Sequence, residues 1–246
     1  MTVVVTGGVK GIGLAIAERL ARPGEAMVLG YNADETAAEA ARVALAPTGA
    51  LVTTVRADVG TIAGAEALID AVSDHDLTHI VHSAAMIYPT SLLDADLEKF
   101  TDAIHVNGLS LLYLVQKGLP LMGRGSTVTF ITSAGARTSQ ANYAALGVGK
   151  ALAESLVRYL VQELAPRGIR INAVAPGLVD TTSVAGMVGS AEGAAKLLER
   201  AARANPSGRL TEGRDYAGVV EFLQSPAAEF VQGQVIHVNG GAYVPA

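Results

Sequence analysis

Val3-Val4-Val5-Thr6-Gly7-Gly8-Val9-Lys10-Gly11-Ile12-Gly13 is the stretch whose reading decides the fold of this chain. An apolar run enters a glycine-rich turn, and an amphipathic helical pattern opens directly after it. In such a strand–turn–helix unit the first backbone amides and the positive helix end face an anion, while the glycines let a pyrophosphate approach closely. A dinucleotide is the natural ligand. Gly7, Gly11 and Gly13 are the candidate phosphate-loop residues, with Ile12 between the last two.

The same alternation continues through the chain. Apolar runs at about 2–6, 26–31, 50–56, 78–84, 126–132, 168–175 and 233–238 are separated by alanine-rich segments of helical period, the signature of parallel βαβ units. The pattern predicts a doubly wound (Rossmann) α/β sheet of about seven parallel strands with helices on both faces. Arg22-Pro23-Gly24, Pro47-Thr48-Gly49 and Pro166-Arg167-Gly168 each punctuate a helix end. No internal repeat or linker divides the 246 residues, so one domain over 1–246 is expected.

Composition narrows the class. Half of the residues are hydrophobic, enough for a large core, and the net charge of −5 argues against a nucleic-acid partner. Zero cysteines exclude disulfides and thiolate metal ligands. His75, His79, His82, His105 and His237 show no metal-ligand spacing, so no metal is expected. No uninterrupted apolar stretch approaches the ~20 residues of a membrane span, and no basic prefix or cleavage signal precedes Val3. The expectation is a cytoplasmic protein with no membrane partner.

Tyr143 and Lys150 carry the chemistry. They stand seven residues apart on what reads as one long helix, with Ser133 ten residues before the tyrosine. Seven residues at about 100° each bring two side chains within roughly 20° of one helical face. A nearby ammonium favours a phenolate, so Lys150 is expected to lower the pKa of Tyr143 and make it an acid catalyst. Asp58-Val59 and Ser83-Ala84-Ala85 lie at the carboxyl ends of the third and fourth strands, where ligands of such sheets bind.

These landmarks, together with Asn107, Asn172, Pro176-Gly177 through Thr181, and Gly233-Gln234 with Gly240-Gly241, resemble the short-chain dehydrogenase/reductase family over essentially the whole chain. The resemblance implies an NAD(P) cofactor. It places Asp58 at the adenine, Pro176, Gly177, Val179 and Thr181 around the nicotinamide, and Lys150 on the nicotinamide ribose. It implies that Asn107 holds a water near the lysine and Ser133 polarises a carbonyl, and it suggests a homotetramer.

One departure from the family pattern matters. Ordinary members place tyrosine four residues before the lysine, where this chain has Leu146; the serine-to-lysine separation of seventeen is kept. The tyrosine stands back by about one helical turn, near 4.5 Å of rise. This spacing, and Val81-His82-Ser83-Ala84-Ala85 in place of the usual Asn-Asn-Ala-Gly, is similar to the divergent enoyl-acyl-carrier-protein reductase branch. There hydride goes to the β-carbon of an enoyl thioester, and a relocated hydroxyl stabilises charge on the carbonyl oxygen, three bonds from the acceptor. Ser133 and Asn107 keep open the alternative of an ordinary ketone or 3-ketoacyl-thioester reductase. A sensor that binds the dinucleotide without turnover is the reading from another class.

At the end of the second strand, Tyr31-Asn32 puts no acidic residue where one would repel a 2′-phosphate, and Lys10 supplies a cation. NADPH is expected over NADH, with Asp34 and Glu35 nearby as opposing charges. Residues 181–208 follow the nicotinamide motif and are expected to form a substrate lid, hinged at Gly186, Gly189 and Gly193. On it Lys196, Arg200 and Arg203 either receive the carrier protein or coenzyme A of an acyl thioester or form a solvated face.

Overall fold

In the computed structural model, which describes residues 1–72 and 76–244, seven parallel strands form one sheet in the order β3-β2-β1-β4-β5-β6-β7. The strands are β1 Thr2–Thr6, β2 Ala26–Tyr31, β3 Leu51–Arg56, β4 Leu77–His82, β5 Thr127–Ile131, β6 Arg170–Pro176 and β7 Val235–Val238. The helices are α1 Gly11–Leu20, α2 Glu35–Leu45, α3 Ile62–Asp70, α4 Leu97–Ile104, α5 Ser110–Gly118, α6 Ala144–Leu164, α7 Thr182–Val188, α8 Ala191–Ala204 and α9 Gly213–Gln224. The expected strand positions hold to within about two residues. His75 lies outside the described residues.

Strand alternation builds two cores. Val4, Val28, Ile80, Val128 and Ile171 point to the face covered by α3, α5 and α6, while Val3, Val5, Leu29, Val81 and Val174 point to the face covered by α1, α2 and α9. Both faces are therefore apolar, as a parallel sheet sandwiched by helices requires. The punctuation found in the sequence has a common geometry: α2 and α6 each run into a short 3₁₀ turn, Ala46–Thr48 and Ala165–Arg167, and stop at a left-handed glycine, Gly49 or Gly168.

Strand order reverses about β1, which pairs with both β2 and β4. The crevice outside the carboxyl ends of β1 and β4 is where an open α/β sheet takes its ligand. Gly7 adopts a left-handed φ of 61° there, and a Cβ on it would come within 2.9 Å of Ala84 Cα. A Cβ on Gly13 would come within 2.1 Å of the Gly7 carbonyl, so the turn folds back tightly against its own helix. Among the described residues no helix is long and apolar enough to cross a membrane.

Candidate active site

A cavity of about 1070 Å³ runs along these strand ends from Asp34 to Leu197. Every residue expected at the cofactor lines it: Gly7, Lys10, Gly11, Ile12 and Gly13 at the loop, Tyr31, Asn32, Asp58 and Val59 at one end, Ser83 to Ala85 along the floor, Pro176, Gly177, Val179 and Thr181 at the other end. Ser133, Tyr143 and Lys150 line it as well, and Asn107 does not. Lys10 caps α1 in an extended conformation, with no side-chain hydrogen bond to the helix end and no acidic residue in the first turn. The first amides of α1 thus face the crevice without a side-chain acceptor, a polarity suited to phosphate.

Tyr143 is not inside the helix that carries Lys150. It is the N-cap of α6, at φ −102° and ψ −1°, and the residue before it, Asn142, has a left-handed φ of 59°. Asparagine is among the few side chains that tolerate this conformation. The phenol ring then lies in a slot between two glycines: a Cβ on Gly135 would stand 2.3 Å from Tyr143 Cε1, and one on Gly147 would stand 3.4 Å from Cδ1. So placed, its hydroxyl lies 3.0 Å from Ser133 Oγ, which also accepts the Gly135 amide at 2.9 Å. The structure brings together the serine and the tyrosine that the spacing had set apart.

The electrostatics differ from expectation. Burial raises the Tyr143 phenol above its ordinary value, and the Ser133 hydrogen bond opposes this only in part. The expected lowering by Lys150 is absent, because Lys150 is itself buried and pushed down to about 7 by desolvation. Its ammonium donates to the Ile131 carbonyl at 2.7 Å and sits 4.5 Å above the Phe130 ring.

Asn107 lies behind the cavity wall rather than in its lining. It lies fully buried in a π-helical turn, His105–Leu109, between α4 and α5. Its Oδ1 accepts the Met86 amide and its Nδ2 donates to the Met86 carbonyl, each at 2.9 Å, with a longer contact of 3.5 Å to Ala145 O. The side chain clamps the floor segment on both sides of Met86. Lys10 is likewise engaged: its Nζ lies 2.7 Å from Asp34 Oδ2, while Asp34 Oδ1 caps α2 through the Ala37 amide. On α8, Lys196 pairs with Glu192 and Arg203 with Glu199, leaving Arg200 as the one of the three without an acidic partner among the described residues.

Several contributors escaped the sequence reading. Glu154, buried on α6, accepts from Thr132 Oγ1 and from Arg137 Nε, each at 2.8 Å, and braces the turn that holds Ser133. The glycine slot has a signal in hindsight, since Gly135 and Gly147 both flank the tyrosine. The buried pairings have none, because they join residues far apart in sequence. No group of three or more possible metal ligands occurs among the described residues.

The family described as enoyl-(acyl carrier protein) reductase matches residues 7–243. The chain belongs to the short-chain dehydrogenase/reductase family. This short-chain reductase is an oxidoreductase by that membership, and proteins of two different named activities are among those it resembles. It is 31% identical over 248 residues to the 1-cyclohexenylcarbonyl-CoA reductase of Streptomyces collinus, covering 99% of this chain and 87% of that one. It is 32% identical over 248 residues to the 3-oxoacyl-(acyl-carrier-protein) reductase of Vibrio cholerae serotype O1, covering 98% and 96%. Among solved structures it resembles a short-chain dehydrogenase from Burkholderia cenocepacia J2315 in complex with NADP, with a TM-score of 0.86, 26% identity, and 98% and 96% of the two chains covered.

Proposed function

We propose that this oxidoreductase uses NADPH to reduce the C=C of an α,β-unsaturated (enoyl) thioester or related enone. The residues fit a dinucleotide: the uncapped α1 amides and left-handed Gly7 and Gly11 suit its pyrophosphate, Asp58 edges the adenine end, and buried Lys150 offers its ammonium to a ribose. The NADP complex of a structural relative and the absence of an acidic residue at Tyr31 support NADPH over NADH. When bound, the cofactor supplies the hydride. The chain's own residues manage charge and protons. Tyr143 donates to the oxygen on which negative charge develops, Ser133 holds that phenol in place, and Lys150 binds the ribose.

The observation that carries the enoyl reading is the place of Tyr143. It caps α6 while Leu146, buried at 6% exposure, fills the position four residues before Lys150 where an ordinary ketone reductase keeps its acid. The name of the Streptomyces relative, a cyclohexenylcarbonyl reductase, agrees with this reading. A second reading, reduction of a 3-ketoacyl thioester, is favoured by the 3.0 Å pairing of the Ser133 and Tyr143 hydroxyls and by the Vibrio relative.

We further place the catalyst in one domain, with residues 181–208 as its lid: α7 and α8 meet at left-handed Gly189, and Met187, Val188 and Leu197 turn apolar side chains to the cavity. Carrier-protein or coenzyme A thioesters are the proposed partners, and a cytoplasmic homotetramer is the proposed assembly by family analogy, to be checked by light scattering. Incubation with NADPH and matched crotonyl and acetoacetyl thioesters, on coenzyme A and on carrier protein, tests the reaction. Predominance of the saturated product by about tenfold in kcat/KM, roughly 1.4 kcal/mol, is expected. Faster 3-hydroxyacyl formation establishes the second reading instead.

A further inference from the structure

His82 is fully buried at the end of β4 and touches no part of the cavity, yet it has a complete and directional set of hydrogen bonds. Thr6 Oγ1 accepts the amides of Ser83 at 3.1 Å and Ala84 at 3.0 Å. Those two bonds occupy both lone pairs of the hydroxyl, so its single proton goes to His82 Nδ1, 2.6 Å away. The ring proton then resides on Nε2, which donates to Ser110 Oγ at 2.6 Å. Ser110 in turn donates to the Val106 carbonyl at 2.7 Å. One tautomer satisfies every atom of this chain, and the other leaves two donors facing each other at Nδ1.

The chain of bonds joins the two anchors of the cavity floor. At one end Thr6 fixes the amides of residues 83 and 84, against which Gly7 packs. At the other, Val106 belongs to the π-helical turn that presents Asn107, whose amide grips Met86 on both sides. Asn107 also reaches Ala145 in the first turn of α6, next to Tyr143. Thr6, His82 and Ser110 therefore link the glycine loop, the floor and the acid-bearing helix from behind. The Phe130 ring lies 5.4 Å from the His82 ring, with Lys150 Nζ over the same phenyl, and among the described residues no carboxylate is paired with the imidazole.

We propose that His82 is a positioning residue: a neutral imidazole, locked with its proton on Nε2 between Thr6 and Ser110, that sets the Ser83–Met86 floor against the dinucleotide. The proposal rests on the reading of the cavity as a dinucleotide site, but its first test does not. In ¹⁵N-histidine-labelled protein without cofactor, long-range ¹H–¹⁵N correlations will show His82 as the neutral Nε2–H tautomer, unchanged from pH 8 down to 5.5. An Nδ1–H tautomer, or protonation in that range, overturns the proposal.

The second test measures binding. His82→Asn keeps an acceptor for Thr6 and loses Ser110, whereas His82→Leu loses both. NADPH affinity is expected to fall by roughly five- to fiftyfold in His82→Leu, as for a lost buried hydrogen bond, and by less in His82→Asn. Should His82→Leu not fold, Ser110→Ala takes its place: it removes only the acceptor of Nε2–H, and the tautomer signature and NADPH affinity are expected to degrade together. Wild-type affinity in a folded variant of either kind overturns the proposal. A wild-type protein that binds no NADPH while showing the Nε2–H signature refutes the cofactor reading alone.

Discussion

The hydroxyl of Tyr143 lies 3.0 Å from Oγ of Ser133, although the tyrosine main chain stands at the N-cap of α6, a full turn before the position from which a helical side chain would face Lys150 at four residues. Left-handed Asn142 turns the chain, and the glycine slot receives the ring. Tyr143→Phe keeps the ring in that slot and deletes the hydroxyl proposed as the proton donor. kcat is expected to fall by roughly 10²–10⁴ with NADPH affinity little changed, measured by steady-state kinetics and cofactor titration. Near-wild-type turnover on the true substrate would remove Tyr143 from the reaction.

Gly135→Ala tests the slot itself. Its Cβ would stand 2.3 Å from Tyr143 Cε1, against ring atoms that have no flexible end to yield. The phenol must leave Ser133, so turnover is expected to drop at least about tenfold, and in a Tyr143→Phe background the same substitution is expected to add little, the mark of two changes acting through one contact. Equal losses in both backgrounds would show that Gly135 serves only the stability of the turn.

How much of this was legible in the sequence follows from the range of each interaction. Strand and helix positions, and the glycine loop, are set by periodicity and by backbone demands of adjacent residues, and they read directly from Val3 to Gly13. The cavity lining followed, because strand ends of a doubly wound sheet converge by topology. The state of individual side chains did not. Asn107 is claimed by Met86, and Lys10 by Asp34, through contacts spanning 21 and 24 residues that no local spacing encodes. The helix was expected to include Tyr143, but left-handed Asn142 turns the chain and α6 starts one position later, with Tyr143 as its N-cap.

Lys150 carries a pH signature. Its pKa is pushed from 10.5 in the free side chain to about 7 in the fold, so between those values the unfolded chain holds a proton that the folded chain lacks. The stability of the cofactor-free protein is therefore expected to rise with pH across that window on account of this residue, and its penalty to be fully developed below pH 7. Chemical denaturation of wild type and Lys150→Met at intervals from pH 7 to 10 isolates the effect: the wild-type curve should climb relative to the variant. A pH-independent difference would mean that the ammonium is not desolvated.

The Lys10–Asp34 pair makes an opposite pair of predictions for NADPH. Lys10→Ala removes a cation from the cavity end and is expected to weaken NADPH by roughly tenfold while leaving NADH nearly unchanged. Asp34→Asn preserves the cap on α2, since asparagine caps as well as aspartate, but frees Lys10 and removes a charge that repels a 2′-phosphate. NADPH is then expected to bind about two- to fivefold tighter, a modest gain because the pair is solvent-exposed and screened. Titration with both cofactors decides it, and weaker NADPH binding by Asp34→Asn would show the aspartate to be a ligand contact in its own right.

The place of the acid also predicts how the reaction can be redirected. Leu146 lines the cavity at the position where the ordinary short-chain reductases carry tyrosine, four residues before Lys150. Tyr143→Phe combined with Leu146→Tyr moves the hydroxyl one turn, about 4.5 Å, along α6 without adding or removing a phenol. From there it addresses an oxygen on the carbon that accepts hydride, rather than one three bonds away. The double variant is expected to lose enoyl-thioester reduction and to gain 3-ketoacyl reduction relative to Tyr143→Phe alone, read as product masses from matched crotonyl and acetoacetyl thioesters. Leu146 is buried, so the larger side chain will cost stability, and a thermal melt of the variant with NADPH present must confirm that it folds and binds. A folded, NADPH-binding double variant whose ratio of the two activities matches that of Tyr143→Phe would show that the axial place of the hydroxyl does not select the bond reduced.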